Sequence, residues 1–235
     1  MPLLLGLDIG TTSTIGTLID TAGRTLAVAS RPASLHSEHP NWAEEDPEEW
    51  WRNIGEICRE LVATDRVGRK DIVAVGATGM LPATILVDQD LNALRRSIQQ
   101  NDARATDELY RLRQGMPEER FLALSGTGYS QQLIGPKLSW LRAHEPQAFA
   151  KARKVVGASD FITARLTGSI QVEHNWALEA GFVNIRTDRY DPELIELAGI
   201  DPALLAPIRA SQELVGGITA EAARHTGLAP GTPVV

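Results

Sequence analysis

The sequence holds a single cysteine, Cys58, in 235 residues. That excludes an intramolecular disulfide framework and a cysteine-rich metal site. Cys58 falls inside a helical pattern and reads as a small core residue. Positive charge is also scarce: 23 Lys and Arg face 30 Asp and Glu, for a formal charge of −7. Nucleic acid and anionic membrane surfaces want a basic face, so neither is an expected partner. A phosphate-bearing ligand stays open, because backbone amides and a metal ion hold phosphate without net positive charge. No apolar run approaches the ~18–20 residues of a membrane-spanning helix. The apolar start MPLLLGLDIGTT has no basic n-region and meets Asp8 too soon for a signal peptide. A soluble, cytoplasmic chain is the expectation. Also missing are an internal repeat, a low-complexity linker, the Walker pattern and GxGxxG, which removes solenoid, P-loop and Rossmann readings.

What remains is a globular composition, 43% hydrophobic and 23% charged, long enough for an ample core. Leu3–Ile9 reads as a buried strand that breaks into a turn. Two further β-type runs, 15–20 and 25–30, flank Thr21-Ala22-Gly23-Arg24, so the chain opens as a three-strand meander. Asp46-Pro47-Glu48-Glu49 is a helix start, with Asp as N-cap, Pro next and acids in the first turn. Trp50, Ile54, Ile57 and Leu61 then recur at helical spacing. Glu44 and Glu45 join the acidic run that the helix dipole favours. Strands are expected at 71–77 and 83–87, and helices at 103–112, 137–143, Pro146–Lys151, 159–166 and 220–225. Thr167-Gly168 closes one helix, and Asp191-Pro192 and Asp201-Pro202 each open a short one. A meander followed by alternating strands and helices implies an α/β domain with a mixed sheet. The ending, GLAPGTPVV, reads as a turn and the first residues of another strand, as in a chain cut before a second domain.

Asp8-Ile9-Gly10-Thr11-Thr12-Ser13 is the sharpest local signal. A carboxylate at a strand end can hold Mg²⁺ through water, and the glycine lets backbone amides and hydroxyls approach phosphate oxygens. The same residues fit an ordinary polar turn whose hydroxyls bond their own backbone, so both readings stand on the hexapeptide.

GLDIGTTSTIGTLID resembles the first phosphate segment of the sugar-kinase, actin and Hsp70 superfamily. NWAEEDPEEWW, GATGMLPATILVD, SIQQNDARA, GPKLSW, ASDFITARLTG and GTPVV follow in the order and spacing of FGGY-type carbohydrate kinases, xylulokinases above all. The resemblance covers essentially the whole chain. It implies an actin-like, ribonuclease H-like N-terminal domain over 1–235, with the ATP-binding C-terminal domain and the catalytic Asp base beyond Val235. It implies ATP-dependent phosphorylation of a small sugar or polyol, a pentulose such as xylulose or a related compound, with negligible turnover by this piece alone. Homodimers are common among such kinases. Carried onto this sequence, Asp8 is the metal-side carboxylate for Mg²⁺, and Gly10, Thr11, Thr12 and Ser13 face the ATP phosphates. Gly79, Met80, Leu81 and Pro82 fall in the sugar loop, with Asn101, Asp102 and Gln132 as further substrate-side groups. Arg104 matches a family arginine expected to pair with structural carboxylates.

The departures from the family pattern are specific. Ile15 stands where Arg or Lys is usual, and Met80-Leu81-Pro82 replaces the Gln-Met-His of xylulokinases and the Arg-Glu of glycerol kinases. Apolar side chains cannot make the hydroxyl hydrogen bonds that discriminate polyols. Gln100 replaces a tryptophan, and Glu173-His174-Asn175-Trp176-Ala177 replaces D-x-S-x-A, either as new cleft groups or as an exposed loop with one buried Trp. Xylulose is thus one candidate substrate and not the expected one. A catalytically impaired sugar-binding or regulatory protein is the alternative, and an actin-like ATPase the third reading. Among smaller signals, His36 and His39 lack metal-ligand spacing, and Trp42, Trp50 and Trp51 read as packing for the first helix, with one at the cleft rim.

Overall fold

The computed structural model describes residues 1–64 and 67–235. Alternation builds its central strand. In β1 (Leu3–Ile9), Leu3, Leu5, Leu7 and Ile9 are buried on one face while Gly6 and Asp8 are exposed on the other. β2 (Ser13–Asp20) and β3 (Thr25–Pro32) continue as the expected antiparallel meander. The Asp20 carboxylate closes the hairpin between them by accepting from the N–H groups of Ala22 and Arg24.

β4 (Glu44–Glu45) leads into α1 (Pro47–Val62), which starts where the sequence places it. The Asp46 side chain accepts from the Glu48 N–H, and Trp50, Ile54, Ile57, Cys58 and Leu61 are buried against the sheet. A Cβ at Gly16 would lie 2.3 Å from Ile57 Cγ2, so glycine there is what lets α1 seat on β2. β5 (Ile72–Gly79) then runs parallel to β1, with Asp8 level with Thr78. β6 (Ile85–Val87) and β7 (Ser97–Ile98) follow as short pieces.

α2 (Thr106–Gly115) starts a few residues later than the 103–112 expected, because Ala103 and Arg104 finish the loop that anchors Asp102. α3 (Glu118–Ser125) has weak amphipathic periodicity and was not among the expected helices; it packs Phe121 with Met116, Leu133 and Leu194 in a small second core. α4 (Ile134–His144), α5 (Pro146–Lys151), β8 (Lys154–Val156) and α6 (Ala158–Thr167) come next, α6 ending on Gly168 in the left-handed region. β9 (Val172–Glu173), α7 (His174–Glu179), β10 (Val183–Asn184), β11 (Arg189–Tyr190) and α8 (Pro192–Ala198) lead to β12 (Ile208–Arg209). β13 (Gly216–Gly217), α9 (Ala220–Thr226) and β14 (Pro233–Val234) end the chain.

The main sheet has the order β13-β14-β5-β1-β2-β3, with parallel and antiparallel pairs together, as the sequence implies. The expected last strand is real: β14 lies beside β5, with Val234 opposite Val75.

One expectation needs correction. Glu44 and Glu45 are not part of the acidic run explained by the helix dipole; both are buried on β4, paired with β7. Glu44 meets Arg95 and Arg104, and Glu45 accepts from Trp50 Nε1 at 3.0 Å. The arginines that meet Glu44 lie about fifty to sixty residues on, which no local pattern announces. Of the two readings open for residues 173–177, the buried Trp is present, since Trp176 is completely buried, but it sits on the start of α7 and not in a loop.

Candidate functional site

The Gly10-Thr11-Thr12-Ser13 turn joins the ends of β1 and β2. Gly10 N–H donates to Ser13 O at 3.0 Å, and a Cβ on Gly10 would come within 3.1 Å of that oxygen. Thr11 and Thr12 are exposed, and neither hydroxyl bonds to a described residue. Asp8 is exposed on the open face of the sheet, between Ile15 on β2 and Thr78 on β5. A hollow of about 380 Å³ lies over it, bordered also by Ala77, Ser211 and Val235. The Asp8 carboxylate has no hydrogen-bond or ion-pair partner among the described residues, so it is available to a cation. No group of three or more His, Cys, Asp and Glu capable of holding a metal occurs among them. A metal here would therefore be held by Asp8, water and its own phosphate ligands, which suits Mg²⁺.

The loop after β5 lies against this turn. Met80 N–H donates to Ile9 O at 2.9 Å, and a Cβ on Gly79 would sit 3.2 Å from Ile9 and from Ala158 at the start of α6. Met80 and Leu81 are half-buried and pack on the core, Pro82 is buried, and the Leu81–Pro82 peptide is cis. The structure thus sets Gly79 and Met80 beside Ile9, between Asp8 and Gly10, with Leu81 and Pro82 following them into the core.

Asn101 and Gln132 are exposed polar side chains on other loops. Asp102 differs: it is buried and its oxygens are engaged. It accepts from Ala43 N–H at 2.6 Å and from Arg104 N–H, Nε and Nη2 at 3.0, 2.9 and 2.8 Å. Arg104 also pairs with Glu44 at 2.7 Å and lies 3.7 Å over the Trp42 ring, the structural role expected of it.

Buried ionisable groups nearby went unnoticed in the sequence. Lys137 on α4 is buried and donates to Gln99 O at 2.8 Å; burial pushes its ammonium down to about 8. Burial likewise pushes the Glu45 carboxyl up to about 7. The signal was a lysine inside the apolar GPKLSW stretch.

The Glu173 segment is tied to the loop after β5. Trp176 Nε1 donates to Ala83 O at 2.8 Å, and its ring lies against Gly157. Asp160 on α6 accepts from the N–H groups of Gly157 at 3.1 Å and Glu173 at 2.8 Å, and burial pushes it up to about 7. Glu173 accepts from Ser211 Oγ at 2.7 Å. Ser211 borders the hollow over Asp8, so this segment reaches the same open side of the sheet.

This arrangement has close counterparts. Residues 3–235 match the model of the FGGY family of carbohydrate kinases, N-terminal domain. The chain belongs to that family. Crystalline xylulose kinase from Rhodospirillum rubrum superposes with a TM-score of 0.94 at 44% identity, over 99% of this chain and 48% of that one. L-xylulose/3-keto-L-gulonate kinase of Escherichia coli is 32% identical over 98% of this chain and 47% of its own length. A probable L-xylulose kinase of Pasteurella multocida is 30% identical over 100% of this chain and 49% of its own length. The chain spans about half the length of the curated relatives it matches. Within this FGGY domain, Ile15 is level with Asp8 across the β1–β2 pair, so the departure at that position falls directly beside the Asp8–Ser13 turn. No helix among the described residues is long and apolar enough to cross a membrane.

Proposed function

We propose that this chain is the sugar-binding half, carrying the phosphate turn, of an ATP-dependent kinase for a small ketose or polyol such as a pentulose. The observation that carries the reading is the Met80 N–H to Ile9 O bond, which holds the loop after β5 against the Asp8–Ser13 turn. A hydroxyl presented by the first loop and a phosphate resting on the second would then be neighbours, and positioning supplies much of the rate in phosphoryl transfer.

In this reading Asp8 holds the hydrated Mg²⁺ that accompanies ATP, and that ion neutralises charge on the transferring group. Gly10 allows the phosphate to approach the backbone, and the free hydroxyls of Thr11 and Thr12 donate to its oxygens. Gly79, Met80, Leu81 and Pro82 shape one wall of the sugar site, with Asn101 and Gln132 offering amide donors and acceptors. Asp102 supports the wall from behind, since protein donors already occupy its oxygens. The base that accepts the hydroxyl proton comes from the C-terminal domain, the second partner in this reading.

Sugar-stimulated release of ADP from ATP by the full-length protein tests the proposal, with pentuloses, their sugar acids and polyols offered in turn. No stimulation by any of them refutes it. That outcome would favour a sugar-binding or regulatory protein of kinase descent, the reading supported by Ile15 in place of a cation beside Asp8.

A further inference from the structure

A second and larger cavity, about 910 Å³, lies between α7, β11 and β12. His174, Asp188, Arg189, Tyr190, Arg209 and Ser211 line it, and Ser211 also borders the hollow over Asp8. Its volume falls in the range of small-molecule sites. Arg209 is 3% exposed, yet its Nε has no hydrogen-bond partner among the described residues. Its one bond to a described residue runs from Nη1 to Ala210 O at 3.3 Å.

A buried guanidinium without an ion pair is costly unless something answers its charge. The acids of this region are engaged elsewhere. Asp160 spends its oxygens on the N–H groups of Gly157 and Glu173, and burial pushes it up to about 7, so it offers Arg209 only part of a negative charge. Glu173 accepts from Ser211 Oγ and the Asn175 N–H, and Asp188 lies 3.4 Å from His174 Nε2. His174 Nε2 is itself buried without a hydrogen bond, and the exposed Arg189 adds another cation to the rim. The Arg209 guanidinium, the His174 imidazole and the exposed Arg189 guanidinium therefore line one concavity, with Asp188 the one carboxylate beside them among the described residues.

We propose that this cavity binds a small molecule through an oxyanion, a carboxylate or a phosphate, seated on Arg209 with His174 and Arg189 beside it. The planar guanidinium fits either group, and the ligand's negative charge answers a cation that has no full ion pair among the described residues. A neutral polyol answers no charge and is a poor occupant. The site is separate from the Asp8 turn and does not rest on the kinase reading.

Isothermal titration of the protein with inorganic phosphate, gluconate and xylitol tests this without any turnover. Saturable binding of phosphate or gluconate is expected, and the better of the two identifies the oxyanion. Arg209→Gln should weaken that binding about tenfold or more, because a charge-assisted bond is lost. Arg189→Gln, at an exposed position that carries no packing, should weaken it about threefold. It decides the matter if Arg209→Gln fails to fold. Absence of binding up to about 10 mM, or anion binding indifferent to the arginine substitutions that fold, overturns the proposal.

Discussion

Replacing Asp102 with alanine separates a structural carboxylate from a substrate contact. Its side chain is buried and accepts four hydrogen bonds, one from Ala43 N–H and three from Arg104. Removing one partner of a buried ion pair costs about 3–5 kcal/mol, because the other charge is stranded. Arg104 keeps Glu44 at 2.7 Å, which places Asp102→Ala at the lower end, about 3 kcal/mol. For a domain of this size each kcal/mol lowers Tm by about 2–4 °C, so thermal unfolding followed by circular dichroism should show a fall of about 6–12 °C. Asp102→Asn keeps an acceptor for the Ala43 N–H and should lose less. The double variant Asp102→Leu, Arg104→Met strands no cation, and Glu44 retains Arg95. It should therefore recover much of the single variant's loss. A Tm for Asp102→Ala within about 1 °C of the parent, with ketose affinity lost instead, would refute the structural assignment.

Asp8→Ala should leave the urea midpoint unchanged, since the side chain is exposed and unpaired among the described residues, while under the proposed function kcat of the full-length protein falls at least about 100-fold; a shifted midpoint with normal turnover contradicts this. Glu45, pushed up to about 7 by burial, holds its proton more tightly in the folded chain, so its contribution is full below about pH 4.5 and fades as pH rises through 7. Glu45→Gln should therefore stabilise the protein at pH 8 by about 1–3 kcal/mol and change little at pH 4.5, as read from urea midpoints at both pH values. Trp176→Phe removes the bond to Ala83 O and should cost about 1–3 kcal/mol. Under the proposed function it should also raise KM for the sugar, because Ala83 directly follows Pro82; an unchanged KM would uncouple α7 from the loop after β5.

Local chemistry made much of the fold legible. The β1 alternation, the Asp46-Pro47 start of α1, the Gly168 stop of α6 and the Asp191 cap of α8 are each written within a few consecutive residues. The Asp8–Ser13 turn was legible for the same reason, as was the neighbouring loop once the resemblance to FGGY kinases aligned it. Glu44, Glu45, Asp102 and Lys137 were not legible as a buried polar cluster. Arg104 lies close to Asp102 in sequence, but Ala43 and Glu44 sit tens of residues from that pair, as Lys137 does from Gln99, and an acidic run before a helix looks alike whether it is solvated or buried.

The sequence by itself determined the strand and helix faces, the caps and the family, because periodicity and capping act through neighbours along the chain. Only the tertiary structure decided what those elements meet. The parallel pairing of β1 with β5 set the loop after Gly79 against the Asp8–Ser13 turn, and the Trp176–Ala83 bond drew α7 to the same loop. It also left Arg209 buried without an anion. Contacts of this kind depend on the desolvation and charge balance that packing imposes at a distance, and no stretch of sequence carries them alone.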